Sequence, residues 1–207
     1  MTPIRASLAA VMLLLTVGAP TMAHASEVSQ LYQASYDLES VQDYAGALSR
    51  MDDIGQPDED YVYHLRRGWL LYLLGRYADS AEAYQAAVHT KPSSIEARQG
   101  LVLPLMALKR WVDARKACEE LLAVSPDDYR GNSRLAYVLY SMGRYGEAAK
   151  LYTQVLEHYP SDVEMQAGLG WAELKQGDTA AARRTFSAVL RVAPSHVSAK
   201  QGLDEAE

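Results

Sequence analysis

Cysteine is almost absent: Cys118 is the only one in 207 residues. A lone thiol rules out an internal disulfide framework and any zinc site built on cysteines. Positive charge is in short supply. Twenty Lys and Arg stand against 26 Asp and Glu, for a formal net charge of −6. Phosphate backbones require a basic footprint, so nucleic acid is excluded as a partner, and so is a polybasic membrane surface. The usual catalytic motifs are missing as well. Of five histidines, the four beyond residue 25, His64, His89, His158 and His196, stand apart, with no His-x-x-x-His pair. There is no Gly-x-Ser-x-Gly, phosphate loop or dinucleotide fingerprint. The acidic group Asp52, Asp53, Asp58, Glu59 and Asp60 lacks the alternation of a calcium loop and reads as a solvated turn. Cys118 reads as a buried core thiol rather than a nucleophile. These absences predict a chain that is not an enzyme and takes no cofactor and no metal.

Long apolar runs are scarce too. The one near the N-terminus spans residues 8–17, follows Arg5 and precedes the small-x-small triplet Ala23-His24-Ala25. This pattern predicts a cleavable signal peptide over residues 1–25, cut after Ala25, and a periplasmic or secreted protein. A membrane anchor is the competing reading, and the run falls short of the ~20 residues a span needs. Removing residues 1–25 takes one basic residue and no acidic one, leaving 19 against 26. No later stretch is apolar enough to cross a membrane.

What the chain does have is a period. Pro92, Pro126, Pro160 and Pro194 stand 34 residues apart. Between them a small-residue turn, an aromatic and an alanine return in register, most clearly at Gly143-Arg144-Tyr145-Gly146-Glu147-Ala148. Each unit holds two apolar stripes at helical spacing. Leu65, Gly68, Leu71 and Leu74 make one; Ala81, Tyr84, Ala87 and Val88 make the next, after the turn at Gly75-Arg76-Tyr77. Glycine closes the first helix, and proline stands past the second, which it cannot continue. The units are 28–60, which is degenerate, then 61–94, 95–128, 129–162 and 163–196, with 197–207 as a truncated cap.

A single helix pair cannot bury its apolar stripes alone, so the pairs must stack into a solenoid. Tyr84, Cys118, Tyr152 and Phe186 hold one equivalent position and should plug the space between units. Gly68, Ala136 and Gly170 mark where first helices approach closely. Pro104 falls within a first helix and predicts a kink there, with Gly100 as the residue it would crowd.

The pattern Leu135-Ala136-x-x-Leu139, Ala148-x-x-x-Tyr152, Pro160, repeated as Leu169-Gly170, Ala182-x-x-x-Phe186, Pro194, resembles the tetratricopeptide repeat (TPR) family. The resemblance implies an all-α, right-handed α-solenoid of about five helix-turn-helix repeats plus a C-terminal capping helix. It also implies a concave groove lined by first helices.

Ten positions on those helices should face the groove: Tyr36, Glu39, Trp69, Tyr72, Leu103, Met106, Tyr137, Tyr140, Trp171 and Leu174. Six are aromatic and one is charged, in a chain that is 9% aromatic. From sequence alone the rings are either ligand-facing or packed between helices. On the first reading, Tyr36, Trp69, Tyr72, Leu103, Met106, Tyr137, Tyr140 and Trp171 contact a partner. Such a surface suits a peptide with apolar anchors. It would also suit sugar rings stacked on Tyr and Trp. Arg66, Gln99, Arg130, Ser133, Arg134 and Lys175 flank it. Arg130 and Arg134, one turn apart, either hold an acidic group or are ordinary solvated surface. The chaperone-tail subclass of the family uses Lys and Asn where this chain has Trp69, Leu103, Tyr137 and Trp171, so that ligand is disfavoured. The expected function is a protein-interaction scaffold of the cell envelope. The alternative is a structural subunit of an exopolysaccharide export assembly, with glycan as partner. The oligomeric state is left open.

Overall fold

The computed structural model describes residues 22–55 and 60–207. The signal-peptide reading of residues 1–25 falls mostly outside that range, as do Pro57, Asp58 and Glu59. Among the described residues every regular element is a helix, and the helices come in pairs. They are α1 Met22–Ser40 with α2 Tyr44–Asp53, and α3 Tyr61–Leu73 with α4 Tyr77–Thr90. Next come α5 Ile95–Ala107 with α6 Trp111–Val124, and α7 Tyr129–Ser141 with α8 Tyr145–His158. Then α9 Val163–Lys175 pairs with α10 Thr179–Val192, and α11 Val197–Glu205 ends the stack. From α3 on, first helices start at 61, 95, 129, 163 and 197, a constant 34 apart. Second helices start at 77, 111, 145 and 179 with the same step, and only α2 is one residue out of step. None of these helices is long and apolar enough to cross a membrane.

Caps and turns set the helix ends. Asp60, Ser94, Asp128, Asp162 and His196 each precede a first helix and accept hydrogen bonds from its opening amides. A side-chain acceptor there satisfies donors that have no partner within the helix. At the other end the chain passes through left-handed backbone at Gly75, Gly143 and Gly177, with φ of 73°, 75° and 87°. Pro104 lies inside α5 without ending it, and the helix runs on to Ala107.

Each helix packs on the next in sequence, and first helices also touch one another from α3 onward: α3 on α5, α5 on α7, α7 on α9, α9 on α11. At three junctions the contact between units is ring against glycine. Tyr84 lies between Gly68 of its own pair and Gly100 of the next, where an added Cβ would stand 2.8 and 2.1 Å from the ring. Phe186 lies likewise between Gly170 and Gly202, at 2.7 and 2.2 Å, and Tyr152 lies against Gly168 at 2.6 Å. No real Cβ fits at those separations, so glycine is what lets the rings seat. Of the four expected plug positions, Tyr84 and Phe186 are rings held by glycine on both sides, Tyr152 meets glycine on one side, and Cys118 is buried without a ring. Ser80, standing where the repeat has Ala114, Ala148 and Ala182, is buried and donates to the Gly68 carbonyl at 2.7 Å, tying α4 to α3.

Candidate ligand groove

One face of the stack is built almost wholly from first helices, and two cavities open on it. The first, of about 360 Å³, is lined by Tyr36 of α1, Arg66 and Trp69 of α3, Gln99 and Leu103 of α5, and Arg130 and Arg134 of α7. The second, of about 530 Å³, is lined by Tyr137 and Tyr140 of α7, Met165 and Trp171 of α9, and Ser198 and Gln201 of α11. Second helices reach each cavity through one ring only, Tyr84 in the first and Tyr152 in the second.

The eight expected contact residues divide between these places. Tyr36, Trp69 and Leu103 line the first cavity; Tyr137, Tyr140 and Trp171 line the second. Tyr72 stacks on Trp69 at 6.0 Å and leans on Tyr77 at 5.5 Å, outside both cavities. Met106 packs against the core and also lines neither. Tyr36 and Tyr137 are the exposed pair, at 50% and 48%. Trp69, Tyr140 and Trp171 each set part of their surface against a core cluster and leave the rest open. The two readings of these rings are therefore not exclusive: one residue serves core and groove together. Polar bonds hold the indoles in place. The Trp69 indole donates to Glu39 at 2.7 Å, and that of Trp171 donates to Ser198 at 2.8 Å.

The first cavity is strongly polar at one end. Arg66 is 5% exposed. It donates through Nη1 to Glu39 at 2.8 Å and through Nε to Ser35 at 2.9 Å, and its guanidinium lies 3.6 Å from the centre of the Tyr36 ring. Arg134 donates to the Gln99 carbonyl at 2.7 Å, and Arg130 reaches the Gln99 side chain at 3.4 Å. Burial, and then the neighbouring Arg130, push the pKa of Arg134 below the usual guanidinium value. So Arg134 is not ordinary solvated surface. Cys118 is fully buried beside it, and burial pushes the thiol up to about 12, which keeps it protonated and unreactive.

The tetratricopeptide repeat family model matches four overlapping stretches: residues 32–95, 65–129, 100–162 and 133–197. The chain belongs to the tetratricopeptide repeat family. Solved TPR structures share its fold. MamA from Desulfovibrio magneticus superposes with a TM-score of 0.77 at 16% identity, covering 83% of this chain and 97% of that one. A TPR protein from Parabacteroides merdae gives 0.80 at 16%, covering 87% and 72%. YrrB, described as having an unusual peptide-binding site, gives 0.74 at 14%, covering 86% and 96%. No curated protein sequence matches the chain.

A TPR solenoid is a scaffold for protein–protein contacts, and in this one the first-helix face carries more charge than the aromatic pattern suggests. Glu96 also lines the first cavity; Glu164 and Glu205 line the second, where Lys175 is 3.7 Å from Glu205. These acids sit near helix starts or in the capping helix. The sequence pattern marks Arg130 and Lys175 as flanking the groove but not these three acids. The 34-residue step is the available signal, since it places Glu96 and Glu164 at the repeat position that Arg130 holds in α7.

Proposed function

We propose that this chain is a non-enzymatic adaptor that holds a peptide or protein partner along its first-helix groove. One observation carries the reading: two aromatic-lined cavities open on the same face, and six of the eight predicted contact residues line them. A preformed concave surface with rigid rings and a few fixed polar groups is the usual form of a recognition site.

The test uses the exposed pair. Tyr36→Ala and Tyr137→Ala together remove two rings that are about half in solvent, so folding should hold. Wild type and variant are compared as baits on the same cell-envelope extract, with circular dichroism as the folding control. A partner retained by wild type and lost by the variant supports the groove. Every partner retained by the folded variant overturns it, and binding to oligosaccharide alone would shift the reading to an exopolysaccharide assembly.

Export is part of the proposal and rests on Arg5, the apolar run at 8–17 and Ala23-His24-Ala25. Fractionation followed by N-terminal sequencing checks it. A periplasmic chain beginning at Ser26 agrees; a cytoplasmic chain retaining residues 1–25 does not.

A further inference from the structure

One repeat position on the first helices is held in turn by Arg66, Gly100, Arg134, Gly168 and Gly202, each 34 residues after the last. The seventh residue after the start of each preceding second helix is, in order, Met51, Tyr84, Cys118, Tyr152 and Phe186. The two rows are complementary. Wherever the second helix brings a ring, the following first helix answers with glycine. Wherever it brings a flexible or small residue, the first helix answers with arginine. Met51 and Cys118 are both fully buried.

Two arginines consequently stand at equivalent places on α3 and α7, with glycine between them on α5. That gap, with Tyr84 also in its wall, is the first cavity. Its charges do not balance. Arg66, Arg130 and Arg134 face Glu39 and Glu96. Glu39 is taken by Arg66 and Trp69, and Glu96 accepts from Tyr61 at 3.2 Å. Among the described residues neither Arg130 nor Arg134 has a carboxylate within 4 Å; Asp128 acts on Arg134 from farther off and already accepts from Gln99 and the Gly131 amide. The Arg66 Nη2, buried, has no hydrogen-bond partner either. Clustered guanidiniums that are partly desolvated and short of an anion make an anion site.

We propose that this cavity seats the carboxylate of an acidic side chain in the bound peptide, with Arg134 and Arg130 as its partners and Arg66 behind them. The inference rests on the peptide-binding reading above. A side chain is favoured over a chain terminus because exposed rings flank the arginines on both sides, Tyr36 on α1 and Tyr137 further along α7. A segment that continues in both directions uses both rings, and a chain end would leave one unused.

The experiment screens the full mature chain against a library of random C-terminally amidated peptides, and against the same library with free C-termini. The expected amidated binders carry Asp or Glu between apolar residues. Changing that acid to Gln should weaken binding about 10- to 100-fold. Arg134→Gln should cause a similar loss, and the two changes together should cost little more than either alone. Arg130→Gln, at an exposed position, gives the same cycle if Arg134→Gln fails to fold. Added salt should weaken the acidic peptide more than its Gln counterpart. Binders with no acidic residue, or with an acid indifferent to both arginines, overturn the inference and leave peptide binding intact. Binding confined to free C-termini overturns the side-chain source. No binder in either library overturns the peptide-binding reading itself.

Discussion

At the junction of the last full unit with the cap, Phe186 fills a slot walled by Gly170 and Gly202. Between the third and fourth units the arrangement is reversed. Cys118 leaves the ring position small, Val102 takes the place of the wall glycine, and Arg134 stands where the ring junctions have Gly100, Gly168 and Gly202. The volume between stacked helices has to be filled, because interiors pack to near-crystal density, but it can be filled from either side. A ring supplied by the second helix leaves the junction apolar. An arginine supplied by the first helix fills the space and brings a charge to the groove wall. The ring junctions are closed by apolar contact, and the arginine junctions set a guanidinium in the wall of the first cavity.

The comparison breaks most readily at its apolar end. Phe186 is fully buried, and Phe186→Ala should cost about 3–5 kcal/mol in urea denaturation. At the reversed junction Cys118→Ala removes one sulfur and should cost ~1 kcal/mol. Equal losses at the two sites would mean that the rings do not dominate stacking. The next effect is an exchange of one junction type for the other. Cys118→Tyr alone meets Arg134 and Val102 and should destabilise by about 1–3 kcal/mol. Adding Arg134→Gly should recover most of that loss, with a coupling of ~0.5–3 kcal/mol between the two changes. Simple additivity would show that the two rows are not complementary.

A polar ladder runs alongside both junction types. Gln99 donates to the cap residue Asp128 at 2.7 Å, and Tyr129 donates to the cap residue Asp162 at 2.5 Å. Each links one first helix to the start of the next. Asp128→Ala and Asp162→Ala should each cost ~1 kcal/mol, the usual worth of an N-cap. If the two losses differ by much more than that, the ladder depends on the junction beneath it, and thermal melts of the two variants would show the difference.

The fold was legible because it rests on a period, and a period can be counted. The plug at Tyr84, Tyr152 and Phe186 was legible too, since those positions align directly. Arg134 was harder to read. Whether its side chain is buried depends on Cys118, 16 residues earlier on another helix, and local spacing says nothing about that distance. Comparing the Arg66–Gly100–Arg134–Gly168–Gly202 row with the ring row would have exposed it. The groove rings were read as facing either the ligand or the core, because a helical wheel assigns a direction and not a depth. Trp69 and Trp171 are large enough to meet both environments, whereas Met106 turns into the core and Tyr72 stops at the turn beside Tyr77.

The smallest expected effect lies at the turn just before the reversed junction's second helix. First helices α3, α7 and α9 close through Gly75, Gly143 and Gly177; at the equivalent place α5 closes through Lys109, with φ of 55°, as the degenerate first unit does through Gln42, with φ of 63°. A residue bearing a Cβ in left-handed backbone is disfavoured by roughly 1–2 kcal/mol. Glycine removes that strain but has more freedom to lose on folding, roughly 0.5–1 kcal/mol. Lys109→Gly should therefore stabilise the chain by only ~0.5 kcal/mol, read as a small rise in the urea midpoint with an unchanged slope. The same substitution should leave peptide affinity in the first cavity unaltered, because Lys109 is exposed and does not line it. A drop in stability would mean that the lysine side chain contributes a contact that offsets its backbone strain. The turn before α6 would then be a second place, beside Cys118, where this unit departs from the repeat with a compensating interaction.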